Sequence, residues 1–594
     1  MVVVLALLAG TGIVWAMYID VVPNRDSPPA VLLRETRRVG SKTVKHTLAN
    51  LSALPQEAVA ALRMILKGGR VVEAADRFFV ERSRPCGHVR AVRKALRRLG
   101  MEELVASKPC PERDAVLAMI AQRLVHAGSK LESAALFADT TLADEFEVTG
   151  IDEDELYAAM DWLLERQPHI ERKLAKRHLG DGATVFYDVS SSSYHGTHCP
   201  LAMRGHNRDG LKLPGIVYGL LTDRDGRPVA VRVYAGNTAD PTTVPDQIEA
   251  LRDEFGIGRF VIVGDRGMLT NTQIDTLREQ AGCGWISCLR SSDIRALLES
   301  RDPSDAPLFT QGNLAEIQHP DFAGERLVAC FNPLLAMDRN QTREELLDCT
   351  EALLRKLATH VKSRKEKPFT APEIGLKAGR VVNKYKVAKH FALNIADGIL
   401  TWSRKQQNID REKALDGIYV IRTSESAEAL SAPDAVRAYK RLGNVEKAFR
   451  TFKGVDLRVR PIHHHLENRV RAHIFLCMLA YYVEWHMRMA LAPLLYADEA
   501  LDDNRAARDP VAKALPSPAV RHKCATQEST EGMPLRRWDG LLGSLSTLVR
   551  NTCRVGDGKT AVRFQRDTEP DAYQKRVFEL LAQDAAWWTS KCAQ

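Results

Sequence analysis

The 594-residue sequence lacks the patterns that mark several classes of protein. Its eleven cysteines include no C-x-x-C pair, so neither a disulfide framework nor a cysteine zinc site is indicated. No G-x-S-x-G motif surrounds the serine run at 190–193, so a serine-hydrolase nucleophile is not indicated either. The charge excess is small: 84 Lys and Arg against 75 Asp and Glu give +9, which favours a polyanionic partner only weakly.

The first nineteen residues contain no charged side chain. A segment of this length and composition is typical of a membrane helix. It has no basic n-region and no clear small-residue cleavage site, so a signal peptide is not favoured. The alternative is that residues 1–16 follow from a start codon assigned too early, with Met17 as the true start. We favour that alternative and expect no membrane contact.

The remaining chain is expected to form two to four domains. Alternation predicts a β-hairpin region over 17–55, and apolar spacing of three and four predicts helices over 56–180. Strands and helices alternate over 181–300. Short strands and a helix beginning at the Thr342–Glu345 capping-box spacing predict an inserted β-rich subdomain over 301–430. Residues 431–495 are predicted to be helical, and 496–594 form a C-terminal region for association or DNA contacts.

A basic run lies in the helical region. On one helix, its cations would share a face because steps of three and four residues stack; they are Arg90, Arg93, Lys94, Arg97 and Arg98. Such a face is commonly only solvated. Contact with nucleic-acid phosphates is the second interpretation, and it makes 56–180 a candidate DNA-binding region.

Two aspartates follow apolar runs typical of buried strands. Asp188 ends the run in ATVFYDVS, and Asp265 follows FVIVG. Each alone is typical of a turn. Open α/β sheets, however, place ligand sites at the carboxyl ends of their strands. We predict that Asp188 and Asp265 lie at such ends, with the serines after Asp188 in a loop.

A third carboxylate is predicted on a helix over 431–453. Tyr439, Glu446 and Lys453 are seven residues apart, which puts them on one stripe at intervals of about 10.5 Å. Apolar residues beside the stripe place Glu446 at the edge of an inward face, where an unpaired carboxylate is costly. A metal ion or a basic partner would explain it.

Two aspartates and one glutamate have the chemistry that two-metal phosphoryl transfer requires. Their hard oxygen ligands suit Mg²⁺. Two ions ~4 Å apart can activate an attacking oxygen and stabilise a leaving one, so no nucleophilic side chain is needed.

Several motifs together resemble DDE-type insertion-sequence transposases of the IS-four superfamily, in the branch with a long insertion. They are FYDVSSSSY, VYAGNTAD, VIVGDRGM, DGIYVIRT, YKRLGNVEKAFRTFK and LRVRPIHHHLENRVRAHIFLCMLAYYVEW. The resemblance covers about Met17 to residue 550. It implies an α/β fold with a ribonuclease-H-like catalytic core (181–300 and 431–495), an inserted β-rich subdomain and a helical N-terminal DNA-binding region.

Carried over residue by residue, the resemblance implies a catalytic and metal-binding triad of Asp188, Asp265 and Glu446. The superfamily signature around the glutamate is Tyr, two residues, Arg, three residues, Glu, six residues, Lys. Tyr439, Glu446 and Lys453 match it. Tyr439 and Lys453, together with Arg441, are expected to contact DNA. The arginine position holds Leu442, and the adjacent Arg441 points about 100° away on an ideal helix.

The implied protein is a transposase that uses two Mg²⁺ ions, with Mn²⁺ as the alternative metal. It would cleave double-stranded DNA at the terminal inverted repeats of its element and join the freed 3′-hydroxyls to target DNA. Such enzymes work as homodimers or larger assemblies, here in the bacterial cytoplasm at the nucleoid. The alternatives are a nuclease that no longer joins ends and a transposon-derived DNA-binding protein without catalysis. Leu442 in place of the signature arginine is the feature that is compatible with impaired catalysis.

Overall fold

The computed structural model is a mixed α/β protein. It describes residues 17–25, 27–39, 42–68, 78–300, 308–309, 312–454, 456–556, 561–584 and 588. The uncharged segment 1–16 lies outside the described residues, so its interpretation stays a prediction. None of the helices within the described ranges is long and apolar enough to cross a membrane.

Sixteen strands are described, of which β4 and β15 cross the boundary between the two units named below. Their bounds are β1 (Met17–Val22), β2 (Ala30–Val39), β3 (Lys42–Asn50), β4 (Phe78–Pro85), β5 (Ala183–Ser193), β6 (Gly215–Thr222), β7 (Pro228–Ala235), β8 (Phe260–Val263), β9 (Cys283–Cys288), β10 (Leu314–Ile317), β11 (Arg326–Phe331), β12 (Phe391–Ala396), β13 (Ile399–Arg404), β14 (Ile418–Thr423), β15 (Val549–Val555) and β16 (Val562–Asp567).

Twenty α-helices are described, with short 3₁₀ and π turns between some of them. Their bounds are α1 (Gln56–Leu66), α2 (Gly87–Arg98), α3 (Met101–Val105), α4 (Pro111–Val125), α5 (Lys130–Asp139), α6 (Leu142–Glu145), α7 (Glu153–His178), α8 (Val244–Glu249), α9 (Asn271–Arg278), α10 (Ser291–Glu299), α11 (Pro333–Ser363), α12 (Ala371–Lys384), α13 (Gln406–Lys413), α14 (Ala432–Lys440), α15 (Gly443–Lys453), α16 (Glu467–Ala490), α17 (Leu501–Ala507), α18 (Pro518–Thr526), α19 (Trp538–Ser546) and α20 (Ala572–Leu580).

The chain divides into two compact units. The smaller unit comprises Met1–Ser83 and Arg550–Asp567, and the larger unit comprises Arg84–Val549 and Thr568–Gln594. In the smaller unit, β1, β2 and β3 form an antiparallel sheet, and a second sheet has the order β16–β15–β4. The pairing of β2 with β3 is the hairpin that the alternation predicts, and β1 adds a third strand to it.

An eight-stranded sheet organises the larger unit, with the order β10–β11–β14–β9–β8–β5–β6–β7. The neighbours β5, β8 and β9 are parallel, and the other pairs are antiparallel. Every residue of β6, β8 and β9 is buried, which explains their continuous apolar sequences. The carboxyl ends of β5 and β8 therefore point to the same edge of the sheet.

Helices cover this sheet. The helix α16 contacts β7, α4 and α7 and is buried over most of its surface, as expected of a helix that is apolar nearly all round. The helix α7 begins with a capping box between Asp152 and Glu155, which satisfies backbone N–H groups at its start. The prediction of helices over 56–180 is confirmed for Gln56–Leu66 and for most of 87–178, whereas Phe78–Pro85 within it forms the strand β4.

The region 301–430 differs from the separate subdomain that we expected. Its strands β10, β11 and β14 extend the main sheet, and the part outside the sheet is the segment 333–413 with α11, α12, α13 and the β12–β13 hairpin. The expected helix start at Thr342 is wrong. The helix α11 begins at Pro333, capped by the Asn332 side chain, because Asn at the cap and Pro in the first turn form a stronger start signal.

Candidate active site

Asp188 on β5 and Asp265 just after β8 occupy corresponding positions along two neighbouring parallel strands. The register pairs Phe186 of β5 with Val263 of β8. Asp188 lies two residues after Phe186, and Asp265 lies two residues after Val263. Asp265 lies just beyond the end of β8, as the sequence predicts. Asp188 does not end its strand, because β5 continues to Ser193 through pairing with β6.

The serine run after Asp188 is thus part of β5 and not the predicted loop. Four hydroxyl-bearing residues are buried there because nearby polar groups satisfy them. Ser192 contacts the Tyr218 hydroxyl at 2.9 Å, and the Ser193 hydroxyl accepts from Asn207 at 3.0 Å. A polar run resembles a loop in sequence, and its partners come from the later segment 206–218, which sequence spacing does not identify.

The Asp265 carboxylate is fixed by a turn. Its Oδ1 accepts backbone N–H groups from Gly267 at 3.0 Å and Met268 at 2.8 Å. Asp265 can therefore be both a turn residue and a metal ligand, because its Oδ2 accepts no hydrogen bond from any residue that the structure describes. Asp188 is held similarly, with the Val189 N–H donating to its Oδ1 at 2.8 Å.

Glu446 approaches the same region from the first turn of α15, where the helix dipole favours a carboxylate. Its side chain is exposed, so the predicted position at the edge of an inward face is wrong. The helix runs over 443–453, and its buried face holds Val445, Ala448, Phe449 and Phe452. Exposure leaves the Glu446 carboxylate open to solvent and to any ligand.

Electrostatics connects the three acids. Burial first, and then the negative charges of Asp265 and Glu446, raise the pKa of Asp188 to about 7, although the Val189 hydrogen bond and the Arg208 charge lower it. Across the described ranges, none of the three carboxylates forms a salt bridge. Like charges in one place disfavour ionisation, and the Arg208 charge offsets this effect only in part.

Hard carboxylate oxygens that form no salt bridge are the donor type that Mg²⁺ or Mn²⁺ takes. As the side chains stand, no group of three or more His, Cys, Asp or Glu in the described part of the chain is arranged to hold a metal ion. The residues thus fit a divalent ion by the type of their donor atoms.

A sequence model described as a transposase DDE domain matches residues 181–483, which are 303 of the 594 residues. The chain belongs to this family. It is therefore a transposase, a nucleic-acid-processing enzyme of a mobile element that binds DNA. No curated protein matches the chain.

The signature residues of the transposase do not share one helix. The predicted helix over 431–453 is two helices, α14 and α15, separated at Arg441 and Leu442. The N–H groups of Leu442, Asn444 and Val445 bond carbonyls three residues back, at 3.1, 2.8 and 3.0 Å. This tighter turn, followed by the poor helix former Gly443, interrupts the regular rotation of 100° per residue. The prediction that Tyr439, Glu446 and Lys453 lie on one stripe of a single helix is therefore wrong.

Tyr439 nevertheless lies beside the carboxylates. It is half-buried on α14, and burial, together with the neighbouring Cys288 and Asp265, raises its pKa well above the usual range. Arg441 lies 3.4 Å from Asp502 and 3.9 Å from Asp225. Tyr439 is thus placed near Asp265, whereas Arg441 contacts acids outside the triad, and the expected contacts of both with DNA stay predictions.

Lys453 is anchored by residues that the sequence did not single out. Its ammonium lies 3.1 Å from Oδ1 of Asp209, which also accepts from the Ser193 N–H at 2.9 Å through Oδ2. Arg460 lies 2.6 Å from the same Oδ1. Arg208, which lowers the pKa of Asp188, also belongs to this missed segment. Only the fold brings 208–209 beside the end of α15.

The cations of α2 contact protein groups. Arg90 and Arg93 contact Glu145 at 3.2 and 2.7 Å, Lys94 donates to the Phe578 carbonyl at 2.9 Å, and Arg98 donates to the Ala582 carbonyl at 2.7 Å. Arg97 lies 3.8 Å from Glu102 with 57% of its side chain exposed. The shared basic face is therefore largely used in packing the transposase itself.

Proposed function

We propose that this transposase cleaves DNA at the terminal inverted repeats of its element and joins the freed 3′-hydroxyls to target DNA. The observation that carries the proposal is the trio Asp188, Asp265 and Glu446, three carboxylates that form no salt bridge within the described residues of a DDE-family chain. We assign them as catalytic and metal-binding residues of an IS-four superfamily enzyme.

The sheet order supports a ribonuclease-H-like core. The five strands β7–β6–β5–β8–β9 are antiparallel on one side of β5 and parallel on the other. We propose that residues 181–300 and 431–495 form this core. The segment 333–413 is then an insertion within it, and two chains act together as a homodimer on two element ends.

The reaction proceeds in two phosphoryl transfers. A water oxygen attacks the scissile phosphorus, and the bond to the 3′-oxygen breaks, leaving a 3′-hydroxyl. That hydroxyl then attacks a phosphodiester of target DNA and displaces another 3′-oxygen. Asp188, Asp265 and Glu446 would hold two Mg²⁺ ions, or Mn²⁺, which supply Lewis-acid activation and neutralise developing charge.

The chain's own groups position the DNA around these acids. Tyr439 lies on the Asp265 side of the site. Lys453 lies on the side of the buried serines, where Asp209 holds its ammonium; as a point charge it suits a DNA phosphate. In the helical region, Arg97 is the cation that we assign to phosphate contact, because most of its side chain is exposed.

Strand cleavage tests the proposal. Purified protein is incubated with duplex carrying the repeats that flank the gene, in Mg²⁺ and in EDTA. We expect nicks at the repeat boundary and joined products in Mg²⁺, and neither of them in EDTA. Repeat binding without cleavage in Mg²⁺ or Mn²⁺ would contradict the proposal.

Asp188→Asn provides the matching variant. Metal ions contribute several kcal/mol to such transition states, and 1.36 kcal/mol is tenfold in rate, so we expect cleavage to fall by about 10³-fold or more with repeat binding retained. The control is Asp253→Asn, an exposed aspartate of the same unit. Cleavage by Asp188→Asn at the control's rate would remove Asp188 from the triad.

A further inference from the structure

The loop between β5 and β6, residues 194–214, is basic. Its charged residues are Arg204, Arg208, Lys212 and one acid, Asp209. The segment 457–466, between α15 and α16 in the chain, adds Arg458 and Arg460 and contains no acid. These 31 residues therefore carry four of the nine excess positive charges of the 594-residue chain. A local excess of this kind is the electrostatic footprint of a polyanion-binding surface.

The two basic segments lie side by side. Tyr194 and Ile462 form a parallel bridge, and the His195 N–H donates to the Ile462 carbonyl at 2.9 Å. The Tyr194 hydroxyl donates to the His464 carbonyl at 3.3 Å. Positive charge from two distant parts of the sequence is thus gathered in one region of the larger unit.

The loop is fixed to β5 by the buried serines that follow Asp188. The Arg208 N–H donates to the Ser191 hydroxyl at 3.0 Å, and the Asn207 amide donates to the Ser193 hydroxyl at 3.0 Å. Ser191 lies three residues beyond Asp188 on β5, a distance of about 10 Å at 3.3 Å per residue. The Arg208 charge reaches Asp188, because it partly offsets the effect of burial on the pKa of that carboxyl.

The helix α15 gives a second measure of the same distance. Glu446 lies in its first turn and Lys453 at its end, and the Lys453 ammonium lies 3.1 Å from Oδ1 of Asp209 in the loop. Seven residues of helix rise about 10.5 Å. Both measures place the loop about 10 Å from the carboxylates, which corresponds to about three base-pair steps of 3.4 Å.

The loop cations are available to a ligand, and we call Arg204, Arg208 and Lys212 the loop surface. All three residues are exposed, and within the described ranges neither Arg204 nor Lys212 forms a salt bridge. The Asp209 charge is already balanced by Lys453 and Arg460. Arg208 pairs with Asp240 at 2.5 Å, with 27% and 34% of the two side chains exposed. Such partly exposed pairs stabilise little, so a phosphate can replace Asp240.

We propose that the loop surface binds the phosphate backbone of the DNA on which the carboxylates act, within about three base-pair steps of the scissile phosphate. The inference rests on the proposed function for the identity of the DNA and the position of the cut. Lys and Arg contacts to phosphates position a duplex without reading its sequence. The loop surface therefore sets the path of the duplex out of the active site, and a phosphate displaces Asp240 from Arg208.

Fluorescence anisotropy of a labelled terminal-repeat duplex tests this proposal with the full chain. EDTA is present, so no result depends on cleavage. The loop variant carries Arg204→Gln, Arg208→Gln and Lys212→Gln. Because each phosphate contact contributes about 0.9 to the slope of log affinity against log salt concentration, we expect this slope to become less steep by about 2 to 3.

The matched control removes three charges from an exposed basic loop of the insertion: Lys362→Gln, Arg364→Gln and Lys365→Gln. We expect the control to keep the salt dependence of the wild-type chain. Melting curves of both variants check that the fold is retained.

A scan of the duplex locates the contact. A methylphosphonate, which removes the charge of one phosphate, is placed singly at each of about six steps on both sides of the repeat boundary. We expect it to weaken wild-type binding at two or three positions within about three steps of the boundary. The same substitutions should have no further effect on the loop variant, since one contact cannot be lost twice.

A second variant covers the case in which the loop variant fails to fold. Asp240→Asn keeps every cation of the loop surface and removes the carboxylate that competes with phosphate for Arg208. We expect it to bind the duplex about two- to fivefold more tightly, the range of one exposed ion pair. The control is Glu316→Gln, whose carboxylate pairs with Arg326, also at 2.5 Å, on β10, five strands from β5 in the sheet order.

Four results would overturn the proposal: an unchanged salt slope in a folded loop variant, an equal loss in the insertion control, a methylphosphonate scan without a position specific to the loop surface, or Asp240→Asn binding no tighter than Glu316→Gln. A chain that binds through the loop surface but never cleaves would contradict the proposed function alone. A chain that cleaves at the repeat boundary with a flat scan would contradict the loop proposal alone.

Discussion

At the scale of single residues, the sequence departs from the superfamily signature at Leu442. The signature has arginine there, and the substitution suggests an impaired enzyme. In the structure, Leu442 is 6% exposed and packs in the main core at the turn between α14 and α15. The leucine is therefore a core residue of this chain, and an arginine would have to be buried.

We accordingly expect Leu442→Arg to destabilise the protein and to leave cleavage no faster. A buried charge without a partner destabilises by roughly 3–5 kcal/mol. Differential scanning fluorimetry and the cleavage assay measure the two effects, with Arg441→Leu as a control that removes a neighbouring charge. A Leu442→Arg enzyme with an unchanged melting temperature and faster cleavage would show that the signature arginine was indeed missing.

Asp209 acts at the same scale as an anchor. Its carboxylate is 2% exposed and lies between Lys453 and Arg460. Burial opposes ionisation, yet the Ser193 N–H and the Lys453 ammonium hold the pKa of Asp209 below its ordinary value. A lowered folded-state pKa gives a stabilisation that is present above the unfolded-state pKa and is lost as the pH falls through the folded-state pKa.

Asp209→Asn should therefore lower the melting temperature at neutral pH, because two cations then share a site without their carboxylate. The loss should be on the order of 3 kcal/mol, as for other broken buried ion pairs. The difference from wild type should shrink as the pH falls below about 3.8, the ordinary pKa of an aspartate. A melting-temperature difference that is constant from pH 7 to pH 3 would contradict this role.

At the scale of elements, the sequence predicts the strands whose apolar pattern lies in neighbouring residues. The apolar runs in ATVFYDVS and FVIVG predict β5 and β8, and Asp265 follows its strand as expected. Three features were predicted wrongly for physical reasons: the buried serines have partners more than ten residues away, the 431–453 helix is divided by a tight turn, and α11 starts nine residues early at a stronger cap. Long-range partners and small changes of helical turn leave little trace in local periodicity.

The insertion is an element that the structure makes separable. Phe331 of β11 pairs with Ile418 of β14, and the Asn332 N–H donates to the Gly417 carbonyl at 2.9 Å. Two apolar clusters, around Leu347 and around Ile374, lie wholly within the insertion. Its entry and exit are therefore adjacent, and its core is its own.

Deleting residues 333–416 should leave a folded transposase core. The deletion joins Asn332 to Gly417 between the paired strands, which gives the two-residue Asn-Gly loop that antiparallel hairpins favour. We expect a monodisperse protein by size-exclusion chromatography with a single cooperative melt. The control deletes residues 333–363 alone, which removes α11 from both insertion clusters and should aggregate. Aggregation of the 333–416 deletion would show that the main sheet depends on the insertion.

At the scale of the whole molecule, one buried cluster gathers positive charge from distant parts of the larger unit. Lys130 is 4% exposed and its ammonium has no hydrogen-bond partner in the described residues. The charged and titratable groups that face the cluster are Arg123, His464, His473 and Cys477. Burial, and then the Arg123 charge, lower the pKa of Lys130 to about 7.

A lysine with a lowered folded-state pKa makes stability depend on pH in the alkaline range. Between about pH 7 and the unfolded-state value near 10.5, the unfolded chain binds a proton that the folded chain does not, so stability rises with pH there. The penalty for the charged amine is fully present below pH 7. It is relieved as the pH rises toward 10.5.

Lys130→Met should therefore stabilise the protein most at pH 6 to 7. A shift from 10.5 to about 7 corresponds to several kcal/mol at 1.36 kcal/mol per pH unit, or about 3 °C in the melting temperature of a chain of this size. The gain over wild type should shrink steadily from pH 7 to 10. The exposed Lys108 supplies the control, since Lys108→Met should leave the melting temperature unchanged at every pH. A destabilised Lys130→Met protein at pH 6 would mean that the ammonium has a partner in the folded chain, because removing a satisfied buried charge destabilises while removing an unsatisfied one does not.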